Sequence, residues 1–141
     1  MKKLLLGLLL VLVVIQFIHP AKNDSPVDSS HAISTGPAVL KVSCYDCHSN
    51  HTSYPWYDKI QPVAWYLSHH VKEGKQELNF DEFNTYPLKK KKKKLTEIVE
   101  TVKEGEMPLS SYTLIHKDAI LSIEQQQEII QWADSLNNSL N

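Results

Sequence analysis

An all-α domain behind an apolar N-terminal segment is what this chain of 141 residues predicts. Apolar residues recur at helical spacing in separate stretches of the sequence. Helix start and stop residues bracket those stretches. No run alternates apolar and polar residues for long enough to form a strand.

Taken in order, Lys2 and Lys3 precede an apolar run from Leu4 to Ile18, interrupted by Gly7 and Gln16. A positive flank followed by such a run is an export signal. Its 15 residues fall short of the ~20 that span a bilayer comfortably. His19 stands where a cleavage site wants a small residue. Residues 1–20 therefore read either as a signal peptide or as an uncleaved membrane anchor with its lysines on the cytoplasmic side. The rest would lie on the periplasmic side of the inner membrane, anchored by residues 4–18 or released after cleavage. No cysteine near residue 20 offers a lipid attachment point. Residues 21–38, rich in Pro, Ser, Asp, Asn and Gly, read as a flexible linker.

The folded domain is expected over residues 39–137. Val39, Leu40 and Val42 suggest a short helix running into Cys44. A second helix starts at Pro62 and runs to about Lys72, with Val63, Leu67 and Val71 four apart and Gly74 able to end it. A third covers Leu88 to Glu104, its stripe made by Leu95, Ile98, Val99 and Val102, with Gly105 to close it. The last runs from Ile123 to about Asn137. Ser122 and Gln125 form its capping box, and Ile129, Ile130, Ala133 and Leu136 its buried face, with Trp132 alongside.

The formal charge is −1, from 15 basic residues, all lysine, and 16 acidic ones. That balance excludes the basic excess of a nucleic-acid-binding protein.

Both cysteines fall in Cys44-Tyr45-Asp46-Cys47-His48. This is the C-x-x-C-H pattern of c-type haem attachment. Two thiols two residues apart reach neighbouring vinyl groups and form thioethers, and the next residue supplies an axial imidazole. Three other chemistries use similar residues. A thiol–disulfide centre normally opens a helix after a strand, and no such pattern is present. A structural zinc site wants two separated ligand pairs, whereas Cys44, Cys47, His48 and His51 are crowded together. A disulfide closing so short a loop restrains the unfolded chain little.

The iron's other face needs a ligand or stays open. Met107 is the one methionine besides the initiator. It stands in a turn before Pro108, between two expected helices, where a loop can present a thioether. His70 and His69 are the alternative distal ligands. His51 is too near His48 to cross a haem, and His116 reads as a local polar contact. His19 and His31 fall outside the folded part. A cluster from Tyr54 through Pro55, Trp56, Tyr57, Ile60, Pro62, Val63 and Trp65 to Tyr66 is expected to cover part of the proximal side. A carbonyl there would accept the His48 Nδ1–H. Six consecutive lysines, Lys89 to Lys94, spread round a helix and read as a solvated segment or as a patch for an acidic partner or anionic lipid.

The stretch Cys44 to Tyr57, then Pro62-Val-Ala-Trp, His69-His70-Val-Lys-Glu-Gly, Leu78-Asn79-Phe80, and Gly105-Glu-Met-Pro-Leu with Tyr112 and His116, resembles the bacterial haem-binding domain family of small c-type cytochromes. The resemblance covers about Val39 to Trp132. It implies a small cytochrome c-like helical domain around one covalent haem c, held by Cys44, Cys47 and His48, with Met107 as distal ligand. Lys75 stands where such families usually show arginine.

The expected function is a monohaem c-type cytochrome passing single electrons to redox protein partners in the bacterial envelope, and not an enzyme. The alternative is a haem peroxidase or gas sensor with an open or displaceable sixth site.

Overall fold

The computed structural model describes residues 1–23, 25, 30–33 and 35–140. Among them the chain forms seven α-helices and no strand. In chain order these are α1 (Lys2–Ile15), α2 (Val39–Ser43), α3 (Tyr45–His48), α4 (Val63–Glu77), α5 (Leu88–Lys103), α6 (Ser110–Thr113) and α7 (Ile123–Ser139).

The packing backbone of the domain is α5 against α7. Leu95, Ile98 and Val102 of α5 meet Ile129 and Ala133 of α7 in a core that continues through Leu40, Leu78, Phe80 and Phe83. The buried positions are those of the helical stripes read from sequence. Ser122 caps α7 as its spacing predicts: its Oγ accepts from the Gln125 backbone N–H at 3.2 Å, and the Gln125 side chain accepts from the Ser122 N–H at 2.9 Å.

The end of α5 sets the path of the next loop. Gly105 has φ +73°, a conformation that costs an L side chain energy but suits glycine. Its N–H reaches the Val102 carbonyl, and the next N–H, Glu106, reaches Thr101 at 2.9 Å. This paired closure is a Schellman ending. It turns the chain sharply and delivers Met107, whose N–H also bonds Thr101 O.

The structure corrects two expectations. Helix α4 does not stop at Gly74; it continues to Glu77 and breaks at Leu78, whose backbone is extended. Gly74 serves close packing against Cys47 instead. Nor is the lysine tract uniformly solvated. Lys94 is buried and bonds Glu77 at 2.8 Å and Glu97 at 2.7 Å, tying α5 to the end of α4. Lys90 and Lys91 lie over the rings of Tyr86 and Phe83.

Helix α1 carries apolar residues on every side and buries none of them. No helix among the described residues is long and apolar enough to cross a membrane. Between α1 and α2, where a linker is expected, the chain is bonded to the domain at several points. The Asn23 side chain donates to Ser49 O at 2.9 Å and to Thr52 Oγ1 at 2.8 Å, and Ile33 N–H donates to Phe80 O at 2.9 Å. Trp132 Nε1–H reaches Thr35 O at 2.7 Å. The linker positions 24, 26–29 and 34 lie outside the described residues.

The Lys94 ammonium bond holds the Glu77 carboxyl below its ordinary value near 4.5, and does the same for Glu97. Carboxyls lowered on folding stabilise the fold fully above that value, and the stabilisation disappears as pH falls through the folded values. Both carboxylates face water, so the expected contribution is about 1 kcal/mol. Lys94→Met should lower neutral-pH stability by that order and flatten the loss below about pH 4.5, as read by denaturant unfolding across pH.

Candidate functional site

The cysteine motif folds as one helical turn. Cys44 precedes α3, and its carbonyl accepts from the N–H groups of Cys47 at 3.2 Å and His48 at 2.9 Å. One turn places residues i, i+3 and i+4 on one face, so Cys44, Cys47 and His48 are presented together. All three line a cavity of about 470 Å³, completed by His70, Glu73 and Gly74 of α4, Met107 to Leu109, and Tyr112. A second space of about 300 Å³ adjoins it, sharing Ser43, Cys44, His48, Glu77, Met107 and Pro108, and opening onto the apolar core at Phe80, Ile98 and Ile129. Both volumes lie within the ~300–1,000 Å³ usual for cofactor pockets.

His48 is held from behind. Its Nδ1 lies 3.0 Å from the Leu78 carbonyl; with the proton on Nδ1, the other ring nitrogen, Nε2, keeps its lone pair. Burial lowers the imidazole's pKa, outweighing the carbonyls of Leu78 and Gly74 that hold it up. The ring is therefore neutral at pH 7, the form that binds a metal. The acceptor is not in the aromatic cluster, where the sequence leads one to expect it, but at the break that ends α4.

That break is fixed by a buried polar network. Asn79 is fully buried. Its side chain donates to Asn50 Oδ1 at 2.9 Å and accepts from the Asp81 N–H at 3.1 Å. Asp81 in turn accepts from the Asn50 N–H at 2.7 Å, and the Phe80 N–H donates to His48 O at 2.8 Å. Residues 48–50 and 78–81 thus clamp one another. Phe80 stacks on Tyr45 at 5.1 Å and meets the His48 ring edge-on at 6.3 Å.

Helix α4 approaches α3 through Gly74. A Cβ there would stand 2.7 Å from Cys47 O and 3.1 Å from Cys47 Cβ, closer than atoms pack. On the other side of the motif, Asp46 accepts from Tyr112 OH at 2.7 Å and from the Ser53 N–H at 2.9 Å. Burial and this bond push the Tyr112 phenol far up, so it stays a donor. Tyr112 stacks on His116, whose Nε2 is 2.7 Å from Tyr57 OH.

The thiols speak against redox exchange. Burial pushes Cys44 up to about 12, with Cys47 adding to it, and burial and Asp46 push Cys47 to about 11. A C-x-x-C redox centre requires the opposite, a depressed thiol. The residues present fit a haem instead. Two thiols and a neutral imidazole share one wall of an apolar-lined space, and a thioether shares its lining. Ser43 Oγ, buried in that wall, has no hydrogen-bond partner among the described residues.

A family model described as a haem-binding domain matches residues 10–135. The chain belongs to the haem-binding domain family. The match takes in every residue lining the cavity and starts inside the apolar N-terminal run. No match is found among curated proteins or among solved structures. The protein is thus a haem-binding protein, and the cavity around His48 is where its residues can hold the cofactor.

Of the distal candidates, Met107 and His70 line the larger cavity. His69 does not; it is exposed and pairs with Glu73 at 3.2 Å. His51 faces Asp81 at 3.2 Å. None of the nine residues of the Tyr54–Tyr66 cluster lines either space, and several of them are exposed on the surface. Six of the nine precede α4 and the other three sit in its first turn, whereas α4 meets the cavity through its C-terminal half, at His70, Glu73 and Gly74. Sequence reasoning also misses Asp46, Gly74 and the Lys94–Glu77 pair.

This geometry predicts two outcomes. Gly74→Ala should reduce haem incorporation sharply while α5 and α7 still fold, as judged by haem absorbance per chain and circular dichroism. Asn79→Ala removes the bond to Asn50 Oδ1 and the bond from the Asp81 N–H. It should destabilise the holoprotein by about 1–3 kcal/mol in denaturant titration.

Proposed function

We propose that this haem-binding protein is a monohaem c-type cytochrome that carries single electrons on the outer side of a bacterial inner membrane. Cys44 and Cys47 would hold the haem through thioethers, His48 would be the proximal ligand and Met107 the distal one. The observation that carries the reading is the presentation of both sulfurs and the His48 imidazole on one helical turn, beside a cavity that Met107 also lines.

The bound haem would supply a one-electron ferrous/ferric couple. This chain's residues do the rest. His48, oriented by Leu78 O, is a strengthened donor because its Nδ1–H is given away to a carbonyl. A Met thioether opposite a His raises the potential and closes the iron to substrates, which suits electron transfer. The Gly105 turn fixes where Met107 stands. No acid, base or nucleophile is needed.

The alternative, a peroxidase or gas sensor with an open or displaceable sixth site, requires that neither Met107 nor His70, which share the cavity, closes the sixth position. Absorption spectra separate the readings. The ferric protein should show a weak charge-transfer band at the red end of the visible spectrum. Met107→Ala should abolish that band, and the reduced variant should bind carbon monoxide. A variant spectrum identical to the parent would remove Met107 as ligand and favour His70.

A further inference from the structure

The end of α1 is bonded to α4 and the turn before it. Gln16 Nε2 donates to Gln61 O at 3.2 Å, and the Gln61 N–H donates back to Gln16 Oε1 at 3.0 Å. Ile18 O accepts from Gln61 Nε2 at 2.8 Å and from Trp65 Nε1 at 3.1 Å. Lys22 then pairs with buried Asp58 at 3.0 Å. Around this junction Phe17, Ile18, Ile60, Val63, Trp65 and Tyr66 are all exposed, Phe17 by 81% and Tyr66 by 54%.

The length of α1 says what covers them. Its 14 residues, Lys2–Ile15, make a helix of about 21 Å, against a hydrocarbon core of ~30 Å. With Lys2 and Lys3 held at the far surface, the helix end is drawn below the near one, unless the bilayer thins to meet it. Whatever is bonded to Gln16 and Ile18 is drawn in with it. The segment bonded there ends in a Trp and a Tyr beside aliphatic side chains, the residues that favour the headgroup layer.

We propose that Ile60, Val63, Trp65 and Tyr66 form a membrane-docking surface that seats in the lipid headgroup layer beside an uncleaved α1. The surface fixes the orientation of the haem domain. Val63, Tyr66, His70 and Gly74 succeed one another along a stripe of α4, and Tyr66 and His70 rings are 4.2 Å apart. The cavity wall at Gly74 therefore lies about 16 Å up the helix from Val63. The haem crevice is thereby held close to the bilayer, within reach of membrane-embedded redox partners.

This inference rests on the protein being a membrane-anchored cytochrome, and its test separates the two. Holoprotein of Val63→Cys, Tyr66→Cys and, as control, Glu128→Cys on exposed α7 is labelled with a fluorophore and placed in phosphatidylcholine–phosphatidylglycerol vesicles. Emission is compared with and without a lipid carrying a nitroxide near its headgroup, a ratio that cancels quenching by haem. Quenching at 63 and 66 should be roughly double that at 128 or more, as expected for interfacial side chains. Equal quenching at all three sites in vesicle-bound protein would overturn the docking surface. So would cross-linking of chains through residue 63, which assigns the face to a second copy. Recovery from native envelopes of chains lacking residues 1–18 would overturn it as well. One label per chain reports that Cys44 and Cys47 are blocked; extra labels would count against covalent haem while leaving the quenching comparison standing.

Discussion

The bond from His48 Nδ1 to the Leu78 carbonyl, 3.0 Å long, is the constraint on which the site depends. An imidazole bound at one nitrogen has one tautomer, one orientation and one nitrogen left to coordinate. For that bond to form, the chain must break helix α4 at Leu78 and hold the break against the residues after the motif. The Asn79–Asn50–Asp81 network does this with paired buried groups. Gly74 does the complementary work, letting α4 come into backbone contact with Cys47. The Lys94–Glu77 pair secures the end of α4 to the α5–α7 scaffold.

Around this anchor the domain divides its labour. Helices α5 and α7 supply an apolar core that could stand behind many sites, and the Schellman ending of α5 converts its direction into the placement of Met107. Helices α2 and α3 display the sulfurs and the imidazole. Helix α4 bridges the two, with its C-terminal half on the cofactor cavity and its N-terminal half on the exposed aromatic surface that meets α1. One helix therefore links the cavity to the surface that meets the end of α1.

Local chemistry is legible in the sequence and long-range geometry is not. The capping box at Ser122, the stripe Leu95–Ile98–Val102, the turn at Gly105 and the single-turn logic of C-x-x-C-H are set by neighbours within a few positions, and all can be read along the chain. Gly74 reads as a terminator because glycine ends helices and also admits close packing, and the sequence does not say which partner approaches. The aromatic cluster reads as a haem wall because aromatic residues serve cofactor walls and membrane interfaces alike. The Leu78 carbonyl carries no side-chain signal; it is found only when residues 48–50 and 78–81 are seen clamped together. Lys94 hides inside a tract of identical residues, and only its position beside Leu95 sets it apart.

The most direct test of the proposed covalent attachment is peptide mapping of the mature protein made in cells able to attach haem. Cleavage after Lys41 and Lys59 yields the peptide 42–59, which contains both cysteines and His48. After acid–organic extraction, which strips non-covalent haem, that peptide should remain coloured, carry the mass of one haem and have no titratable thiol. A colourless peptide of unmodified mass with two free thiols would contradict the account.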